Sequence, residues 1–119
     1  MEPILLLVNS APSSPNLKRA FGSALALKEQ GHPVSMFLLQ DAVLAGLREE
    51  GLDRSQPNSS GAHPHAAQAL NAGVSLYSLV EDLALRGYAA SNLWDGIQAG
   101  DYGQLVDLFD RHTRVIGTL

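Results

Sequence analysis

Four short apolar runs alternate along the chain with stretches whose apolar residues recur at helical spacing. The first run, residues 3–8 (PILLLV), ends in the turn-rich NSAPSSPN. A continuous apolar run bounded by Asn, Ser and Pro predicts a strand buried on both faces, as in a parallel sheet. Leu17, Ala20, Phe21, Ala24, Leu25 and Leu27 then fall on helical spacing. Ser14 is the expected N-cap, Pro15 and Asn16 open the helix, and Gly31 stops it. Residues 32–40 (HPVSMFLLQ) predict a second strand, and residues 41–51 (DAVLAGLREEG) a short helix capped by Asp41.

The polar stretch 52–64 (LDRSQPNSSGAHP) reads as an exposed, mobile loop. Residues 63–73 predict a short helix with Pro64 in its first turn, ended by Asn71 or Gly73. A third strand, 74–79 (VSLYSL), runs directly into a helix over 79–87 (LVEDLALRG). Residues 88–101 read as a loop with a helical turn. Residues 101–112 form an amphipathic helix through Leu105, Val106, Leu108 and Phe109, and 113–119 (TRVIGTL) a last strand. Strands alternating with helices predict one α/β domain over residues 1–119. The expected form is a three-layer α/β/α sandwich around a mainly parallel sheet of about five strands.

The 119 residues are 45% hydrophobic and 17% charged, which describes a globular chain. Lys and Arg total 8 against 12 Asp and Glu, for a net charge of -4. That balance argues against nucleic acid and against an anionic membrane as partners. The apolar run ILLLV is too short for a signal segment or a membrane span, so a cytoplasmic protein is expected. The complete lack of cysteine excludes disulfides, thiolate metal sites and cysteine-based catalysis.

Open α/β sheets bind ligands beyond the carboxyl ends of their strands. NSAPSSPN, QDA and SLVED should meet there, offering free N–H groups and partial positive charge to a small anionic ligand. The candidate binding residues are Asn9, Ser10, Ser14, Gln40, Asp41, Ser78 and Glu81, with Lys18 or Arg19 placed to help. The same residue types also serve as helix caps, so capping stands beside binding as an explanation. No Walker or dinucleotide glycine pattern is present. Ser78-Leu79-Val80-Glu81 has the form of a Ser-x-x-Glu capping box. Glu81 and Asp82, as neighbours on a helix, point about 100° apart and do not converge on one atom. Trp94 either covers a pocket or subunit interface or plugs the end of the core. His63 and His65 lack a third ligand nearby, and His32 and His112 lack triad partners, so no metal site and no cofactor are expected.

The segments ILLLVNSAP, ALALKEQGHPVSMFLLQDAVLAGL, GVSLYSLVEDLALRG and LVDLFDRHTRVIGTL, in this order and spacing, resemble the DsrE/DsrF-like family. That family includes the sulfur-relay subunits of the TusBCD and DsrEFH complexes. The resemblance implies a functional cysteine at the third-strand junction that carries sulfur as a persulfide. Counting back from Arg86-Gly87, the two registers used for that thiol fall on Leu79 and Asp82. Neither side chain can carry a persulfide, and the Ser78 hydroxyl is no substitute, because the carrier must be a thiolate sulfur. The resemblance therefore implies the fold without the transfer chemistry. It also implies assembly as a homo-oligomer, trimer or hexamer, or with related subunits. A non-catalytic structural, regulatory or small-ligand-binding protein is expected. The alternatives are a relay subunit working through a cysteine-bearing partner, or a hydrolase-type enzyme using Asp82 and Glu81.

Overall fold

The computed structural model describes residues 2–48, 64–117 and 119. Of the expected loop over residues 52–64, residues 52–63 lie outside them, and Pro64 opens a helix. The first strand, β1 (Ile4–Val8), runs through the middle of the molecule. Ile4, Leu5, Leu6 and Val8 have no exposed surface, so the apolar run is explained by burial on both faces. It pairs in parallel with β2 (Val34–Leu38) on one side and β5 (Arg114–Ile116) on the other. β3 (Ser75–Leu79) and β4 (Ile97–Gly100) extend the sheet, giving the order β4-β3-β2-β1-β5, with every pair parallel.

The helices between these strands follow from that order. α1 (Pro15–Glu29) begins as expected, with Ser14 Oγ accepting the Asn16 N–H at 3.1 Å and Pro15 in the first turn. Gly31 stops it at φ 97, a conformation that costs a residue without Cβ little. A 3-10 helix (Gln40–Gly46) and α2 (Pro64–Asn71) join β2 to β3, and α3 (Val80–Leu85) leaves β3 directly. These steps all move the same way across the sheet. The last helix, α4 (Tyr102–Arg111), reverses the direction to reach β5. Right-handed crossovers then put α4 on one face and the other helices on the opposite face. The packing agrees: α1 lies against α2, and α3 against the 3-10 helix.

Gly100 lets α4 approach its face closely. A Cβ there would come 2.9 Å from Phe37 Cζ and 3.0 Å from Gln104 Oε1. Phe37 in turn stacks on Tyr77, with ring centroids 5.6 Å apart. His112 closes the far end of α4. Its Nδ1–H donates to the Leu108 carbonyl at 2.7 Å, leaving Nε2 to accept from the Ser35 hydroxyl at 3.1 Å. α4 buries Leu108 and half-buries Leu105, while Tyr102, Val106 and Phe109 stay exposed. At about 100° per residue these five positions form one continuous apolar arc, and the sheet covers only half of it.

Three local expectations are corrected. Residues 88–101 are not all loop: Ala90–Asn92 form a 3-10 turn and Ile97–Gly100 form β4. β4 is an edge strand with a single large buried side chain, Ile97, so it shows no apolar alternation. Asp41 caps no helix, because the segment is a 3-10 helix whose N-cap is Leu39. Ser78 and Glu81 form no capping box. Ser78 is still in β3, bound in the ladder beside Leu38 and Ala99, and α3 starts at Val80 with Leu79 as N-cap.

Candidate functional site

The candidate site is the carboxyl edge of the sheet, where β2 turns into the 3-10 helix and β3 turns into α3. Leu39 continues the β2 direction, its N–H donating to the Val8 carbonyl at 2.7 Å. The chain then turns sharply at Gln40, which has φ 50 and is the only non-glycine residue at positive φ among the described residues. That region is disfavoured for residues with a side chain and is held only where neighbours determine it. Here the determinant is Asp82: its Oδ2 accepts the Gln40 N–H at 2.6 Å. Asp82 itself is buried in the first turn of α3. A charged acceptor at this distance makes one of the stronger hydrogen bonds available to a backbone amide.

Arg86, at the end of α3, adds a second tie between the same segments. Its Nη2 and Nε donate to Asp41 Oδ1 at 2.8 and 3.1 Å, and its Nη1 to the Asp82 carbonyl at 3.0 Å. Asp41 is more than half exposed, so this ion pair orients the turn more than it stabilises it. Gln40, Asp41, Asp82 and Arg86 thus form one connected group. In the sequence, Arg86 serves only to set the register of the family resemblance. The signal that would have found it is a lone basic residue four positions after an acidic one on a short helix.

Leu79, beside this group, is 1% exposed and pairs with Gly100 across the sheet. Ser78 is fully buried, and its Oγ has no hydrogen-bond partner among the described residues. Glu81 is half-buried, and its Oε1 is also buried without a partner among them.

The β1–α1 loop belongs to the same edge but is engaged differently. The N–H groups of Asn9 and Ser10 donate to the Leu119 backbone oxygen at 2.8 and 3.2 Å, and Leu119 N–H donates back to the Leu7 carbonyl. Ser14 is occupied as the N-cap of α1. Beside Leu119 a cleft of about 260 Å³ opens along α1, lined by Asn16, Arg19, Ala20, Ser23 and Leu119. Arg19 therefore lines it, while Lys18 does not.

Trp94 does not join these residues. It lies three positions before the start of β4, at the amino end of that strand, with its N–H on the Gly46 carbonyl at 2.7 Å. It is 39% exposed and forms neither a lid over the carboxyl edge nor a buried plug. Among the described residues no three His, Asp or Glu side chains gather as metal ligands. His65 packs on the Phe21 ring, and His63 lies outside the described residues.

The DsrE/DsrF-like family model matches residues 2–117. The chain is a member of the DsrE/DsrF-like family. A crystal structure of the ychN protein from E. coli superposes with a TM-score of 0.76 at 28% identity, covering 98% of each chain. No curated protein matches. Within this family fold, Leu79 and Asp82 occupy the two positions at which the resemblance places a thiol. One is closed into the core, and the other is spent on the Gln40 amide.

Removing the Asp82 carboxylate leaves the Gln40 N–H without its acceptor in a disfavoured turn. Asp82→Ala is expected to cost about 1–3 kcal/mol of unfolding free energy in urea titrations. Arg86→Ala is expected to cost less than about 1 kcal/mol, because its carboxylate partner is solvated.

Proposed function

We propose that this DsrE-like chain is a non-catalytic, ligand-binding oligomeric protein of the cytoplasm that does not itself carry sulfur. The observation that supports this most is the fate of the two thiol positions. Leu79 is packed in the core, and Asp82 is a structural carboxylate. Converting either site to sulfur chemistry would need a thiolate that the chain does not contain. A hydrolase reading fits less well, because one Asp82 oxygen already holds a backbone amide and ties the carboxylate to the fold. Relay through a cysteine-bearing partner remains the second reading, supported by the family fold.

Two features support binding and assembly. Arg19, Asn16 and Ser23 bring one cation and two hydrogen-bonding side chains to the α1 cleft, a donor set suited to a small anion. Tyr102, Val106 and Phe109 on α4, with Val115 on the edge strand β5, leave apolar surface in solvent. Contiguous apolar surface of this kind marks interaction sites. A further copy of the chain, as trimer or hexamer, or a related DsrE-like subunit would cover it. No helix among the described residues is long and apolar enough to cross a membrane.

Light scattering on the purified chain is expected to give an oligomer. The double variant Val106→Glu, Phe109→Glu is expected to give a monomer with an unchanged circular dichroism spectrum. A monomeric wild type sinks the assembly claim. Inorganic phosphate, used as the anion probe in calorimetry, is expected to bind and to lose about tenfold or more in affinity in Arg19→Ala, the scale of one charged hydrogen bond. Equal binding by that variant would remove the cleft from consideration. For the relay reading, transfer between a persulfide donor and a cysteine-bearing family member would have to depend on adding this chain.

A further inference from the structure

The cleft along α1 combines a cation with apolar lining. Asn16, Arg19 and Ser23 are exposed and follow one another at three and four residues, which puts them on one face of α1. The remaining lining residues, Ala20 and Leu119, are apolar. Ala20 is buried in the core, and Leu119 packs on the core only in part. The cleft measures about 260 Å³, below the range of sites for drug-sized ligands. Its size and mixed lining suit a small molecule with a polar head and a short apolar body.

Leu119 is brought to the cleft by backbone contacts. Its oxygen accepts the Asn9 and Ser10 N–H groups, and its N–H donates to the Leu7 carbonyl at 2.9 Å. Two residues earlier, Gly117 lies so close to β1 that a Cβ would come 2.7 Å from Leu7 Cβ and 2.9 Å from the Leu7 oxygen. These ties do not use the Leu119 side chain, so a smaller side chain at 119 leaves them in place.

The charge of the cleft sets the head group. Arg48 and Arg86 are paired with Asp95 and Asp41, whereas Arg19 has no carboxylate partner among the described residues. None of the described residues that line the cleft is acidic. One unpaired guanidinium balances one negative charge, and its planar fork matches a carboxylate. A dianion would leave one charge uncompensated next to apolar lining.

We propose that the α1 cleft takes a short-chain organic carboxylate, its head group on Arg19 and its alkyl part against Leu119 and Ala20. This rests on the assignment of the cleft to anions and narrows it to amphiphilic monoanions. Amides of residues 16–23 are followed by NMR in titrations with acetate, butyrate, butylammonium and inorganic phosphate at constant ionic strength. Butyrate is expected to bind about tenfold more tightly than acetate, the scale of two methylenes leaving water. Butylammonium, with the same apolar part and the opposite charge, is expected to give no saturable shift. Arg19→Ala is expected to weaken butyrate about tenfold or more. Leu119→Ala is expected to cut the butyrate-to-acetate ratio to about threefold or less. The comparison of the two carboxylates on the wild type carries the test should that variant not fold. Phosphate bound through Arg19, with butyrate no tighter than acetate, overturns the proposal and leaves the anion assignment standing. A ratio that survives Leu119→Ala does the same. Butylammonium binding as well as butyrate, or no binding by any anion, overturns both.

Discussion

The carboxyl edge of this sheet turns on one backbone amide. Gln40 N–H points at Asp82 Oδ2, 2.6 Å away, and with it the chain leaves β2 through a left-handed residue. A side-chain-bearing residue adopts that conformation at a cost, so something must repay it. The carboxylate does so from the first turn of α3, where the helix also favours negative charge. Asp82, on which one of the two thiol registers implied by the family resemblance falls, is a structural contact between two crossover segments. Leu79, the other such position, is closed by packing.

This arrangement inverts the expectation for the edge. Helix starts and strand-end loops usually offer N–H groups to anions. Here the amides of Asn9 and Ser10 are taken by the Leu119 oxygen, and that of Gln40 by Asp82. What remains at the β3–α3 junction is a pair of buried oxygens on Ser78 and Glu81. Space for an anion lies instead along α1, beside Arg19. On the other face of the sheet, α4 is the one helix among the described residues, and its apolar arc extends past the surface that the sheet covers.

The sequence carried the fold well where burial was two-sided or periodic. ILLLV and VSMFL are central strands because nothing polar interrupts them, and Ser14, Pro15 and Gly31 bound α1 as their conformational preferences require. β4 was not legible, since IQAG at an edge has one large buried side chain and no alternation. At the site, the residue types were recognisable but their register was not. Ser78 and Glu81 match a capping box in spacing, yet the ladder to Leu38 and Ala99 keeps Ser78 in the strand. Asp82 reads in sequence as one more acidic residue of a helix start. Its tie to Gln40, 42 positions away, exists only once β2 and β3 lie side by side. Trp94 went to the amino end of β4 because the crossover from α3 carries it there.

The direct measurement of this account is amide hydrogen exchange at Gln40, by NMR, in the wild type and in Asp82→Ala. The exchange of a neighbouring core amide, that of Leu38, serves as the control for global unfolding. The predicted result is a Gln40 amide protected in the wild type and freely exchanging in the variant, while Leu38 stays protected in both. A Gln40 amide that exchanges like an open loop in the wild type, or stays protected without the carboxylate, would contradict it.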